Sequence, residues 1–210
     1  MQLFELALEQ VKGLAIGQRA GLILRHSARF PILKEEDVYT VGLTREGVQQ
    51  AEFLGNHLSQ IRQPGRIFSS PVGRCLDTAS SIVRGAGWSK TVCPDYHLSH
   101  PYIAPVWNSL PINWQTDPVP GQVAELINLV LEGDDTPEVL DIFVTHDTIV
   151  ASIAGYFMGV EFHYPAYWPE FLEGVLVWRD EKGVHFRWRE DDRVIDQWPP
   201  PAERQLEFEY

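Results

Sequence analysis

Three short polar segments stand where apolar runs give way to helical patterns, and each carries side chains that could do chemistry. They are Arg25-His26-Ser27-Ala28-Arg29, Ser69-Ser70-Pro71-Val72-Gly73-Arg74 and Thr145-His146-Asp147-Thr148. Together they offer two imidazoles, three guanidiniums and one carboxylate. Guanidinium groups match the geometry of a phosphate and stay charged at any working pH. These residue types predict a site for a phosphoryl group.

The same residue types could also catalyse transfer of the phosphoryl group. A neutral imidazole can attack phosphorus and form a covalent intermediate, and nearby cations lower its pKa and keep it unprotonated. A protonated Asp can give a proton to the leaving alkoxide and later take one from the attacking water. Phosphoryl transfer by these groups needs no metal, so we expect neither a metal nor another cofactor.

The elements that must position these segments are short strands followed by helices. Apolar runs predict strands over 20–25, 65–69 and 139–145. Helical spacing follows over 44–60, from the Ser69-Ser70-Pro71 segment to about Arg84, and over 148–158. Serine is a favoured N-cap residue and Pro fits the first turn, so we expect the second of these helices to begin at Ser69-Ser70-Pro71. Alternating strands and helices predict a three-layer α/β/α sandwich with a mainly parallel sheet. The carboxyl ends of such strands share one edge, so the three segments can converge.

The remaining chain fits one domain spanning residues 1–210. We expect an amphipathic helix within Met1–Ala20, a loop excursion near 94–121, a helix over 122–131 and a C-terminal hairpin near 174–189. The proline-rich tail from Trp198 is expected to be irregular. The aromatic stretch from His163 to Pro169 is interpreted as cover for the core, with a role at the rim of the site left open.

Composition and charge limit the kinds of binding partner and the cellular compartment that we expect for this protein. With 29 acidic and 17 basic residues the formal net charge is -12, which opposes binding to nucleic acid or to an anionic membrane. Cys75 and Cys93 are too few for a disulfide framework and are expected to be free thiols. The first residues lack the apolar centre of a signal peptide, so a cytoplasmic location is expected. The oligomeric state is left open.

The chain resembles the histidine phosphatase (phosphoglycerate mutase-like) superfamily. The matching pieces are Arg25-His26-x-x-Arg29, Leu43-Thr44-x-x-Gly47-x-x-Gln50-Ala51, Ser69-Ser70-Pro71-x-x-Arg74 with Asp77-Thr78-Ala79, and Thr145-His146-Asp147. Four fragments in the family's order form a specific signal. The resemblance implies a phosphoglycerate mutase-like fold and a metal-independent phosphomonoester hydrolase. It implies His26 as the nucleophile, with Arg25, Arg29, Arg74 and His146 binding the phosphoryl group.

Two departures from the family pattern bear on the site. Ser27 stands where the family usually has Gly directly after the nucleophile, which could alter the packing of the backbone or add a hydroxyl near the phosphate. The mutase branch places a Glu in the loop after the Ser-Ser-Pro helix, where Ser99 stands here. The acid phosphatase branch instead uses an Asp directly after the second His, and Asp147 fits that pattern, as does Pro31. The resemblance to that branch therefore implies Asp147 as the proton donor.

Other interpretations stay open at this stage. A phosphoglycerate-type mutase and a non-catalytic phosphate- or phosphoprotein-binding module would use the same pocket. His146-Asp147 could belong to a metal site, and Asp147 could only cap the helix that follows. Arg29 and Arg74 could be surface ion-pair partners, and His97 and His100 could contact substrate from the loop excursion. The expected substrate is a small-molecule or protein phosphomonoester.

Overall fold

The fold is built on one seven-stranded mixed sheet. In the computed structural model, residues 4–109, 111–133, 136–162 and 167–199 are described. The strands are β1 Ala20–Arg25, β2 Gln63–Ser69, β3 Val92–Pro94, β4 Val139–Thr145, β5 Gly174–Asp180, β6 Gly183–Trp188 and β7 Asp191–Ile195. Their order across the sheet is β3-β2-β4-β1-β5-β6-β7. The first four in that order pair in parallel, and β5, β6 and β7 continue from β1 as antiparallel strands.

Helices cover both faces of the sheet. They are α1 Glu5–Lys12, α2 Arg45–Leu58, α3 Gly73–Ala86, α4 His100–Trp107, α5 Gly121–Leu131 and α6 Asp147–Met158. Alternate residues of the central strands enter two separate cores, so that Leu22 and Leu24 face α1, α2 and α3 while Ile23 faces α4, α5 and α6. Burial on both sides explains why β1 and β4 are mainly apolar, with Asp141 as the one charged residue within β4. The chain is therefore an α/β/α sandwich.

Several predicted boundaries change in the structure. The N-terminal helix covers only Glu5–Lys12 and ends at Gly13. The excursion over 94–121 is not wholly loop, because α4 begins at His100 with Pro101 in its first turn and continues despite Pro105. The sheet is parallel over four strands, and its antiparallel part has a third strand, β7, that the hairpin prediction left out. Charged residues at the start of β7 hide its periodicity.

The start of α3 also differs from the prediction. Neither Ser69 nor Ser70 caps the helix, since α3 begins at Gly73 after Val72, without a side-chain cap. The two serines are used elsewhere: the Ser69 hydroxyl donates to the Ser70 carbonyl, and the Ser70 hydroxyl contacts His146. The tertiary contact of Ser70 thus takes precedence over local capping.

None of the helices in the described ranges is long and apolar enough to cross a membrane. Both cysteines are reduced, with Cys75 buried in α3 and Cys93 exposed on β3. Burial raises the pKa of the Cys75 thiol to about 12. Its sulfur therefore stays protonated and packs in the core, as predicted for a structural cysteine. Most of the proline-rich tail, from residue 200 onward, lies outside the described residues.

Candidate active site

The carboxyl ends of β2, β4 and β1 lie side by side and carry the three polar segments. The backbone confirms that they meet, because the His26 amide donates to the Thr145 carbonyl at 2.8 Å and the Ser70 amide donates to the Val144 carbonyl at 2.9 Å. Parallel pairing in register places Arg25 opposite Thr145. The sheet therefore brings segments 40 or more positions apart in the sequence to one edge.

His26 is a buried imidazole whose two nitrogens have different partners. Its Nδ1 lies 2.8 Å from the Ser27 carbonyl oxygen, which can only accept, so Nδ1 carries the proton. The Nε2 lone pair then accepts from the Arg74 Nε, at 3.0 Å. Burial lowers the pKa of His26 well below 6.5, and the cations around it act in the same direction. The ring is neutral and has one lone pair available for attack on phosphorus.

Ser27 does not add a hydroxyl to the phosphate site. Its Oγ donates to the Gly47 carbonyl at 2.7 Å, and its backbone amide donates to Thr78 Oγ1 at 3.0 Å. The first turn of α2 can pack closely against this loop because residue 47 is a glycine. A Cβ at that position would lie 2.0 Å from the Ala28 carbonyl oxygen. Ser27 thus fixes the loop after β1 to α2, with its side chain directed at α2.

Arg74 joins the two imidazoles. While its Nε contacts His26, its Nη2 lies 3.2 Å from His146 Nδ1 and its Nη1 donates to the Val38 carbonyl at 2.5 Å. The side chain is almost fully buried. The interpretation of Arg74 as a surface ion-pair partner is therefore wrong: no carboxylate contacts its guanidinium in the described part of the chain.

His146 is the second neutral ring. It is buried, with its Nε2 3.0 Å from the Ser70 hydroxyl and its ring edge-on to His26 at a centroid distance of 5.7 Å. Burial, followed by the charge of Arg74, lowers its pKa to about 3. Since Nδ1 accepts from Arg74, the proton of this ring lies on Nε2 and is donated to Ser70.

Arg25 lies on the other side of His26 and is paired with Asp147. Its Nη2 is 3.1 Å from Asp147 Oδ2, and its Nη1 donates to the Pro169 carbonyl. The guanidinium also lies 4.1 Å above the centre of the Phe171 ring, which contacts His26 as well. This arrangement holds the guanidinium close to the nucleophile.

Asp147 is the first residue of α6, after His146 at the N-cap. Its Oδ1 accepts from the Thr148 amide at 2.9 Å. Burial acts to raise the pKa of Asp147, but Arg25, the Trp168 side chain and the Thr148 amide outweigh it and hold the pKa below its usual value. The low pKa makes Asp147 an ionised carboxylate, which can accept a proton directly but must first be protonated to donate one.

Arg29 is the third arginine of the candidate site, and its backbone forms an isolated antiparallel β-bridge with Leu43. Its charge lowers the pKa of both Arg25 and Arg74, which places it within electrostatic reach of them, and its Nη1 donates to the Phe30 carbonyl at 2.9 Å. Within the described ranges, the Nε atoms of Arg25 and Arg29 are buried without a hydrogen-bond partner. Two unmet donors beside the neutral ring of His26 suit an arriving anion.

The loop histidines and Ser99 take different positions. His97 is exposed and pairs with Asp95 at 2.7 Å, whereas His100 contacts the Thr148 hydroxyl at 3.1 Å, one residue from Asp147. Ser99, at the position where a mutase would carry its Glu, is buried and donates from Oγ to the Tyr96 carbonyl. Of these residues, only His100 lies beside the assembled site.

Residues 167–173 form a wall of the site that the sequence indicated only in part. This loop supplies the Trp168 side chain to Asp147, the Pro169 carbonyl to Arg25, and the Phe171 ring to both Arg25 and His26. The buried Glu173 carboxylate fixes it by accepting from Arg189 Nε at 2.6 Å and from the Glu170 amide at 2.7 Å. The aromatic stretch 163–169, for which a role at the rim was left open, includes Trp168 and Pro169, whereas Phe171 and Glu173 lie beyond it; residues 163–166 lie outside the described part.

Comparison with known families gives a match over residues 24–97 to the model of the histidine phosphatase superfamily (branch 1). The matched range includes Arg25, His26, Arg29 and Arg74, and ends before His146 and Asp147. A comparison with curated protein sequences gave no match.

Solved structures share the fold over most of the chain. A mycobacterial glucosyl-3-phosphoglycerate phosphatase has a TM-score of 0.55 at 18% identity, covering 82% of this chain and 99% of its own. A protein from Agrobacterium tumefaciens named as a phosphohistidine phosphatase, SixA, gives 0.53 at 17%, covering 86% and 100%. The ecdysone phosphate phosphatase of Bombix mori gives 0.53 at 14%, covering 91% and 98%. The family match covers about a third of the chain, and the solved structures show that the chain shares their fold.

Proposed function

We propose that this protein hydrolyses phosphomonoesters through a phosphohistidine formed on His26. The observation that carries the proposal is the bridge from Arg74 to the lone pair of a neutral His26, in a pocket with more guanidinium donors than acceptors. The match of residues 24–97 to the superfamily model and the phosphatases among the structural neighbours support it.

In the first step, Nε2 of His26 attacks phosphorus as the bond from phosphorus to the ester oxygen breaks. Arg74 is well placed to exchange its contact with the ring nitrogen for contacts with phosphoryl oxygens, and the Nε groups of Arg25 and Arg29 can donate to the same anion. The leaving alkoxide takes a proton from Asp147. The phosphoryl group stays bound to His26 through the N–P bond until water attacks.

In the second step, water attacks the phosphohistidine and gives its proton to the Asp147 carboxylate, releasing inorganic phosphate and neutral His26. The ionised state of Asp147 suits this step directly. For the first step its pKa must rise when substrate binds. A bound phosphoryl dianion has that effect, because it adds negative charge beside the carboxylate and competes for Arg25.

The test of the proposal is turnover of a nitrophenyl phosphate by the wild-type protein and by His26→Ala. We expect the variant to lose roughly three orders of magnitude or more of activity and to keep its circular dichroism spectrum. Wild-type activity should survive exhaustive chelation, because the arginines supply the positive charge. Rapid acid-free quenching should trap a protein heavier by one phosphoryl group, absent in the variant.

The outcomes separate the alternatives. Activity of His26→Ala within tenfold of wild type contradicts the nucleophile assignment. Phosphate binding without any turnover identifies a binding module, and transfer of the phosphoryl group to a second hydroxyl acceptor identifies a mutase. Loss of activity on chelation, restored by one divalent ion, identifies a metal-dependent enzyme.

The role of Asp147 is tested by the dependence on the leaving group. Asp147→Asn keeps the side-chain size and the ability to accept from Thr148, but has no proton to donate. Single-turnover phosphorylation by an alkyl phosphate should slow by about 10²-fold or more, and by a nitrophenyl phosphate far less, because nitrophenolate leaves without a proton. Equal slowing of both substrates, or of neither, moves the proton donor elsewhere, with His100 as the next residue to test.

A further inference from the structure

A second cavity, of about 300 Å³, opens next to the phosphoryl site. Its walls come from the loop before α2, from the start of α3 and from the segment before α4. The lining side chains are mostly aromatic or apolar: Tyr39, Pro71, Val72, Tyr96, Ser99 and Pro101. We refer to this cavity as the tyrosine groove.

Chain connectivity places the tyrosine groove at the phosphoryl site. Tyr39 follows Val38, whose carbonyl accepts from Arg74. Pro71 follows Ser70, whose hydroxyl contacts His146. On the third side, Ser99 precedes His100, which contacts the residue after Asp147. Each wall is thus one residue away from a group in or beside the site, so an ester group leaving the phosphorus can extend into the groove.

The chemistry of the walls favours a flat, apolar group. The side chains of Tyr39 and Tyr96 are 54% and 58% exposed, so their rings present large uncovered surfaces. The Ser99 hydroxyl already donates to the Tyr96 carbonyl and cannot give that proton to a ligand. Ring faces of this kind stack on planar groups, whereas a polyhydroxylated group needs more donors and acceptors than the two phenol hydroxyls and the Ser99 oxygen can supply.

Charge argues against a second anionic group on the substrate. Among the described residues, no Lys, Arg, Asp or Glu lines the tyrosine groove. The turn that leads into Tyr39 carries three consecutive acidic residues, Glu35, Glu36 and Asp37. A carboxylate or a second phosphate in this groove would lose hydration without gaining a cation, and would meet the field of those carboxylates.

We infer that the tyrosine groove binds the leaving group and selects phosphomonoesters whose alcohol is an uncharged planar ring. The inference rests on the proposed function, since it assumes that the adjacent site holds the phosphoryl group. It assigns Tyr39 and Tyr96 as residues that determine specificity, by stacking on the ring while Arg25, Arg29 and Arg74 hold the phosphoryl oxygens.

Calorimetry with phosphonates tests the inference without turnover. Methylphosphonate, benzylphosphonate and phosphonoacetate share a head group that cannot be hydrolysed and differ only in what reaches the groove. Wild-type protein should bind benzylphosphonate about tenfold or more tightly than methylphosphonate, because an aromatic ring is buried. Phosphonoacetate should bind no more tightly than methylphosphonate.

Substitutions then locate the effect. Tyr39→Ala and Tyr96→Ala should each reduce the preference for benzylphosphonate by about threefold or more and leave methylphosphonate affinity unchanged. Phe53→Ala is the matched control, because Phe53 is a similarly exposed ring on α2 that lines a different cavity. That variant should keep the wild-type preference.

Each result has a separate meaning. Equal binding of methyl- and benzylphosphonate, tighter binding of phosphonoacetate, or equal preference in all three variants overturns the groove assignment and leaves the proposed function intact. Failure of every phosphonate to bind, together with absence of turnover, contradicts the phosphoryl site itself and removes the basis of both proposals.

Discussion

Two clusters of buried or half-buried arginines lie at opposite ends of the central strands, and their charges are balanced differently. At the amino end of β4, Asp141 is 1% exposed and accepts from two arginines. Arg66 donates to it from its backbone N at 2.6 Å, from Nε at 2.9 Å and from Nη2 at 2.7 Å, and Arg19 Nη2 reaches both carboxylate oxygens. The other donors of Arg66 reach the carbonyls of Leu129 and Val130.

The carboxyl end of the same strands has the opposite balance. Arg74 donates to the neutral rings of His26 and His146 and to the Val38 carbonyl, and contacts no carboxylate in the described ranges. Arg25 and Arg29 each keep a buried Nε without a partner, and Asp147 is the one carboxylate in direct contact with the described guanidiniums of the site. The comparison shows that a saturated arginine cluster ties strands together, whereas an under-neutralised one leaves a place for an anion.

The largest effect on activity is expected from removing Arg74, the arginine that contacts both His26 and His146. Arg74→Met should lower phosphatase kcat/KM by about 10²–10³-fold, the loss typical of removing one donor to transition-state charge. Arg84→Met is the matched control, because Arg84 lies on the same helix but is exposed and paired with Glu52. Equal effects of the two substitutions would contradict a special role for Arg74.

The same variant has a spectroscopic readout. The charge of Arg74 contributes, after burial, to the low pKa of about 3 at His146, so NMR titration of Arg74→Met should show this pKa rising. Because the pKa of His146 in the folded protein lies below that in the unfolded chain, stability falls as the pH drops below about 6.5. In Arg74→Met the difference between the two pKa values shrinks, and the loss of stability with acid should be shallower.

In the cluster around Asp141, removing a charge should lower the stability of the protein and leave its activity unchanged. Asp141→Asn removes the charge that compensates Arg19 and Arg66, and we expect the free energy of unfolding in urea to fall by about 3 kcal/mol. The kcat/KM of the folded fraction should stay within about twofold of wild type. Asp192→Asn, which breaks an exposed pair with Arg187, should cost about 1 kcal/mol or less. A large loss of kcat/KM in Asp141→Asn would show that the two ends are coupled.

The smallest effect is expected from restoring the family's residue after the nucleophile. Ser27→Gly removes the hydrogen bond from Oγ to the Gly47 carbonyl and should lower the free energy of unfolding by about 1 kcal/mol. The Ser27 amide can still donate to Thr78, so phosphatase activity should change by about twofold or less. A rise or fall of tenfold would place the hydroxyl in contact with substrate and contradict its assignment to α2.

The sequence alone determined the fold class and the three segments of the site. Local signals were sufficient, because mainly apolar runs such as residues 139–145 require burial on both faces, and such strands end at a common edge. Thr44 capping α2 and Gly87 ending α3 with a φ of 66° are equally local. A carboxylate inside the apolar run, Asp141, was also visible in the sequence, but its partners were not.

Only the tertiary structure decided how those side chains are used. The state of Asp147 depends on Arg25 and Trp168, which come from distant segments, and the Ser70 hydroxyl serves His146 instead of capping α3. The wall at 167–173 has no motif, because its contribution to the site rests on a backbone carbonyl, one ring and a buried ion pair to Arg189. Spacing along a chain reports which strand ends meet, whereas charge balance and proton position depend on contacts that only folding creates.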